Sequence, residues 1–177
     1  MPAPRGSAST VTVRKSRPSQ NHPLTDVDRA LASSRVSAEY VALNKRGNGG
    51  RMTANALAAA YTAAWNTGRP DAVASFFAVD GAIIINNGSP WQGRDGVAQM
   101  AAGFYADVPD LRLTCDGVRT AGGHLTYLWT FTGTHAGTGN RLCVVGWEEW
   151  DLNEAELITL SRGWFDGDDY ARQTAPD

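Results

Sequence analysis

Gly146-Trp147-Glu148-Glu149-Trp150-Asp151-Leu152, then Leu157-Ile158, then Gly163-Trp164-Phe165-Asp166, is the stretch from which the fold can be read. Two apolar runs flank the short acidic segment Asn153–Glu156, which reads as a hairpin turn between two strands. Three tryptophans and several carboxylates alternate along them. On a strand, successive side chains point to opposite faces, so only one of the adjacent Glu148 and Glu149 can face inwards. Glu149 shares parity with Val145 and Trp147, and Glu148 with Gly146, Trp150 and Leu152. Both faces carry a tryptophan, so the sequence leaves the inward acid open. A carboxyl group walled in by aromatics acquires a raised pKa suited to proton transfer. The competing reading is that the acids face water while the tryptophans fill a core.

Outward from this hairpin, Leu111–Thr120 and Leu125–His135 read as two further strands joined at Ala121-Gly122-Gly123, and Arg141–Leu152 and Ile158–Phe165 complete a set of four. Before them the pattern is helical. Thr53 is placed to cap a helix whose Leu57, Tyr61, Ala64 and Trp65 form one apolar stripe, closed by Asn66-Thr67-Gly68. Pro70-Asp71 starts a short second helix running through Phe76-Phe77, and Gly81–Asn86 is an isoleucine strand. Gly93-Arg94-Asp95-Gly96 leads into a third helix carrying Val97, Met100, Ala101, Phe104 and Tyr105. Helices first and hairpin strands after them define an α+β domain with helices on one face of the sheet.

The chain has 177 residues and 42% hydrophobic residues, enough for one domain with a full core. Its net charge of −2 conceals an asymmetry: residues 1–51 carry nine Lys and Arg against three acids, and the remainder seven against fifteen. Fifteen of sixteen aromatics also follow residue 51, Tyr40 being the exception. Residues 1–51 are therefore expected to be a basic tail outside the fold, or a segment preceding the true start at Met52, with 52–177 as the folded domain. Leu24 to Tyr40 is expected to form at most one short helix. A nucleic-acid-binding role for the tail ranks below both readings.

No apolar run reaches the ~20 residues of a membrane span, and the N-terminal residues lack the apolar core of a secretory signal. A cytoplasmic protein is expected. Cys115 and Cys143 read as two buried free thiols ahead of a disulfide. The three histidines are scattered and no Cys-x-x-Cys occurs, so neither a metal site nor a cofactor is expected.

The segment Tyr61-Thr62-Ala63-Ala64-Trp65-Asn66 with Asp71, then Gly93-Arg94-Asp95-Gly96-Val97, then Phe131 to Gly139 with its Gly-Thr-His-Ala-Gly core, and finally Leu157-Ile158 with Asp166, Tyr170 and Gln173, coincide in order and spacing with one family. From about residue 53 to 173 the chain resembles the SnoaL-like branch of the nuclear transport factor 2-like superfamily. The resemblance implies a cone: a curved antiparallel or mixed sheet wrapped round three helices, a cystatin-like roll, with a pocket in its open end. It also implies a small apolar ligand, frequent homodimers through the outer sheet face, and members that include polyketide cyclases, ketosteroid isomerases and limonene epoxide hydrolases beside proteins with no known activity.

The catalytic candidates are His135, Asp166 and Glu149. His135 follows Trp129, Phe131 and Gly133 along one strand face and either shuttles a proton or pins the strand end. Asp166 either acts as a base inside the cone or caps a short terminal helix around Asp168 to Gln173. Tyr61, Trp65, Trp91, Met100, Phe104, Trp129 and Trp147 are the pocket-lining candidates, and they favour a flat apolar ligand of polyketide, steroid or terpenoid type. The cyclases keep an aspartate on the last strand, and the matching position here is Gly163, so an acid must come from elsewhere. Two functional readings follow: a cofactor-independent cyclase, isomerase or lyase, and a non-catalytic ligand-binding or dimerisation module.

Overall fold

The computed structural model describes residues 52–176, and the expectations for residues 1–51 lie outside them. Thr53 caps α1 (Ala54–Trp65) as its hydroxyl accepts from Ala56 N, and the stripe Leu57, Tyr61, Ala64 and Trp65 is buried. Pro70 opens the short α2 (Pro70–Ala74), which stops before the two phenylalanines. Phe77 instead begins β1 (Phe77–Ile85), four residues earlier than the isoleucine run suggests. Pairing explains the difference. Phe77 lies beside Ile158 in the sheet, and a bulge before Ala82 lets the strand resume with its isoleucines.

A two-residue strand, β2 (Trp91–Gln92), precedes α3 (Gly93–Asp107). The chain then runs through β3 (Arg112–Ala121), β4 (His124–Thr134), β5 (Arg141–Leu152) and β6 (Ile158–Phe165), and ends in α4 (Gly167–Thr174). The six strands form one sheet in the order β2-β1-β6-β5-β4-β3, antiparallel except where β1 meets β6. The fold is thus α+β with a mixed sheet packed on its helices, and it adds a fourth short helix to the three of the resemblance.

Strict alternation along β4 sends Leu125, Tyr127, Trp129 and Phe131 to the buried face. The facing residues of β5 are Leu142, Val144, Gly146, Glu148 and Trp150. They pack against Tyr61 and Trp65 of α1 and Met100 and Ala101 of α3 in one apolar core. Burial of several large aromatics supplies most of the driving force, at roughly 1.5–3 kcal/mol for each large apolar side chain. Val108 lies over Gly133, where any Cβ would collide with the valine methyl. Asp110 accepts from the backbone N–H and hydroxyl of Thr134 there and ties the β3 approach to the end of β4.

A candidate active site around Glu148

The inward acid is Glu148, not Glu149. It is 6% exposed, whereas Glu149 stands on the outer face beside Thr126 and Arg162. Pairing to β4 decided the parity: Glu148 lies opposite Tyr127, which is fully buried. Trp150, also inward, packs 5.1 Å from the Tyr127 ring and 4.9 Å from Tyr61.

Three donors meet the Glu148 carboxyl group. Trp150 Nε1 and Ser161 Oγ each donate to Oε2 at 2.9 Å. The Tyr61 hydroxyl reaches both oxygens, at 3.3 Å to Oε2 and 3.5 Å to Oε1. Oε2 is therefore saturated, and Oε1 has only the long tyrosine contact. Burial pushes the Glu148 pKa up, and the donations from Trp150, Ser161 and Tyr61 offset part of that rise. Burial and the nearby Glu148 charge hold the Tyr61 hydroxyl far above its ordinary pKa. Tyr61 stays protonated and serves as a fixed donor. Thr62 spends its hydrogen on Ala58 O, so the Tyr127 hydroxyl donates to Thr62 Oγ1 at 2.6 Å and leaves Glu148 to Tyr61.

Glu148 borders a cavity of about 40 Å3 whose walls are otherwise apolar: Trp65, Met100 and Phe104 from the helices, Ile83 and Ile85 from β1, and Leu111, Leu113, Trp129, Phe131, Gly163, Trp164 and Phe165 from the rest of the sheet. Glu148 is the one titratable side chain in this lining. Gly163, where the resemblance implies an aspartate, is its direct cross-strand partner. A Cβ at Gly163 would lie 3.5 Å from Glu148 Cγ, in ordinary contact. The longer glutamate thus extends over a bare glycine, and its carboxyl group occupies the floor of the site. Asn86 supports this wall. Held at a φ of 50°, it receives Phe165 N on its side-chain oxygen and donates its own N–H to Gly163 O.

Four of the seven expected lining residues, Trp65, Met100, Phe104 and Trp129, border the cavity. Tyr61 lies one layer behind and reaches it through Glu148. Trp91 and Trp147 do not border it. Trp91 sits on the edge strand β2 at 40% exposure, and Trp147 has the outward parity of β5 at 38%. Cys143 shares that outward parity and is exposed, while Cys115 is half-buried; both are free thiols.

Neither His135 nor Asp166 borders the cavity. β4 ends at Thr134, so His135 lies just past the strand end. His135 Nδ1 pairs with Thr138 Oγ1 at 2.8 Å, and its backbone joins Asn140 and Gly139, so it organises the β4–β5 turn. Asp166 is exposed and caps α4 by accepting from Asp169 N. Phe131 and Phe165 border the cavity but were not among the expected lining residues, and Glu148 is the member of the acid pair that the sequence left open. Strand parity was the one signal for them, and it needed the register.

Among the described residues, no group of three or more His, Cys, Asp or Glu is placed to hold a metal, and no helix is long and apolar enough to cross a membrane. The SnoaL-like domain family matches residues 58–160. No curated protein matches the chain by sequence. Several solved structures are similar in fold. A protein of ketosteroid isomerase-like fold from Catenulispora acidiphila, solved with trimethylamine, shares 22% identity over 68% of this chain and 93% of its own, with a TM-score of 0.63. SalBIII, an epoxide hydrolase/cyclase-like enzyme of pyran ring formation in salinomycin, shares 14% identity at a TM-score of 0.59, covering 66% of this chain and 92% of its own. A candidate polyketide cyclase from Xanthomonas campestris shares 22% at 0.57, covering 69% and 96%. At these identities the likeness is one of fold.

Proposed function

Because the chain belongs to the SnoaL-like domain family, we propose that its cavity binds a small, uncharged apolar molecule and that Glu148 moves a proton on it, in a cyclase, isomerase or lyase type of reaction. The observation that carries this reading is the asymmetry of the Glu148 carboxyl group. Oε2 accepts from Trp150 and Ser161 at 2.9 Å, whereas Oε1 has only the 3.5 Å contact from Tyr61 and keeps lone-pair capacity facing an apolar lining.

The raised pKa makes Glu148 a stronger base as the carboxylate and keeps it able to return the proton afterwards. In the forward step a C–H proton beside a carbonyl moves to Oε1. The C–H electron pair becomes the enolate double bond, and the carbonyl pair moves onto oxygen. Tyr61, held as a donor, and Ser161 keep the carboxyl plane fixed while its charge changes.

The cavity is far smaller than the roughly 300–1,000 Å3 typical of sites for drug-sized ligands. Even a single-ring compound needs a cavity on the order of 150 Å3, so the aromatic wall must open to admit one. A polycycle requires Phe165 and Tyr170, whose rings lie 5.7 Å apart beside Phe131, to separate.

The test follows deuterium incorporation into the methyl group of acetophenone in D2O by NMR. The protein should accelerate exchange over buffer, and Glu148→Gln should abolish the acceleration. Equal exchange with the glutamine variant, or none with the native protein, refutes proton transfer at Glu148 and leaves the non-catalytic binding module as the better reading.

The outer sheet face supports a homodimer. Trp147 lies opposite Trp164 and Leu128, and Val145 beside them is 64% exposed, so β4, β5 and β6 present one apolar patch. Light scattering on the native protein and on Trp147→Glu tests it: a native dimer that the variant converts to monomer is the expected result.

A further inference from the structure

Two indole N–H groups that border the cavity, Trp65 Nε1 and Trp129 Nε1, have no hydrogen-bond acceptor among the described residues, and Trp129 is the one seated on the strand that carries Glu148. Trp129 is 8% exposed and lines the cavity, and among the described residues its Nε1 has no hydrogen-bond acceptor. An indole N–H is a donor only, and buried donors in folded proteins are nearly always paired. Its surroundings offer nothing: Phe131 lies 6.0 Å away, near-parallel, and Phe165 6.4 Å away.

The position of the ring is built rather than incidental. Trp129 stands opposite Gly146, one inward step along the strands from the Tyr127–Glu148 pair. A Cβ on Gly146 would come within 2.5 Å of Trp129 Cζ2 and Cη2. The indole therefore leans from β4 across to β5 and rests on the bare backbone of the strand that carries Glu148. Nε1 is two bonds from Cζ2, so the N–H edge lies on the β5 side of the ring. Diagonal neighbours of this kind on antiparallel strands are separated by about 7–8 Å at Cα, the span of a single-ring ligand.

We infer that Trp129 Nε1–H is the ligand's oxygen-binding donor and selects the substrate class: uncharged single-ring ketones and related carbonyl compounds, with the oxygen at Trp129 and the exchangeable proton at Glu148 Oε1. The inference rests on the Glu148 reading for the second contact. In proton removal the charge develops on the oxygen that Trp129 holds, so the same donor that binds the ketone steadies the enolate. An anionic ligand is disfavoured because the lining contains a carboxyl group and no cation.

The experiment compares acetophenone with α-methylstyrene, which replaces the carbonyl oxygen by a CH2 group and keeps the shape. Binding is followed by titration, and the Trp129 indole N–H by its 1H–15N resonance, assigned with Trp129→Phe. A further variant replaces the Trp129 indole by benzothiophene, which keeps the ring volume and removes the N–H.

The native protein should bind the ketone about fivefold tighter than the hydrocarbon, the yield of one neutral hydrogen bond. The Trp129 resonance should move downfield with the ketone alone, and the benzothiophene variant should bind both compounds equally. A preference that survives in that variant, a ketone that binds without moving the resonance, or no preference in the native protein each overturns the assignment. Glu148→Gln separates this from the proton-transfer reading. If Trp129 is the donor, that variant keeps the ketone preference whether or not exchange is lost. If only the Glu148 reading stands, exchange depends on Glu148 while the preference ignores the indole N–H.

Discussion

Replacing Glu148 by leucine tests the carboxyl network through stability alone, with no ligand needed. Leucine is close to glutamate in volume, so no large cavity opens. It removes the acceptor of Trp150 Nε1, of Ser161 Oγ and of Tyr61 Oη, all buried. The indole and serine bonds are 2.9 Å long, and each orphaned buried donor costs about 1–3 kcal/mol. Tyr61, bound at 3.3–3.5 Å, loses less. Relief of the carboxyl desolvation penalty offsets part of the loss, so the expected destabilisation is about 2–5 kcal/mol, a large share of a domain's net ~5–15 kcal/mol.

Glutamine keeps an acceptor for Trp150 and Ser161 and should cost less than about 1.5 kcal/mol. Its comparison with the native protein also reads the titration. The Glu148 pKa is raised in the fold, so the neutral form is the favoured one there. The contribution of this group is fully present below its unfolded pKa and is lost as pH rises through the folded value, at up to about 1.4 kcal/mol per pH unit within that window. Glu148→Gln, which does not ionise, should therefore gain on the native protein as pH rises from about 4.5. Urea denaturation at several pH values measures both effects. A leucine variant within 1 kcal/mol of native at every pH, or a glutamine difference that does not change with pH, refutes the network.

Three further outcomes follow from single residues. Gly146→Ala should cost about 1–3 kcal/mol or more by thermal or urea melts, because its Cβ meets both the Trp129 ring and the backbone oxygen of Trp164 at 2.5 Å. Gly163→Ala should change stability by less than about 1 kcal/mol, its nearest neighbour being Glu148 Cγ at 3.5 Å, yet weaken acetophenone binding in titration because the methyl group enters the cavity. His135→Ala should lower stability by about 0.5–1.5 kcal/mol through the loosened β4–β5 turn and leave deuterium exchange unchanged, since the ring is bound to Thr138 outside the cavity.

The order of helices and strands was legible because local physics writes it into short stretches of chain. The Thr53 cap, the stripe from Leu57 to Trp65, the Gly122-Gly123 turn and the acidic segment after Leu152 each report on their own neighbourhood. The short strand β2 and the early start of β1 were not legible, because pairing with distant partners creates them: Trp91 with Ile83, and Phe77 with Ile158.

By itself the sequence determined the α+β class, the aromatic character of the interior and the presence of an acid pair on β5. Tertiary structure alone decided which acid matters. A strand exposes its two faces symmetrically, and the choice between Glu148 and Glu149 rests on the register that puts Glu148 beside Tyr127, Gly163 and the hydroxyl of Tyr61, 87 residues earlier. His135 and Asp166 are bound locally, to Thr138 and to Asp169 N three residues on, whereas long-range pairing brought the Trp129 indole, seated on Gly146, into the cavity that Glu148 shares.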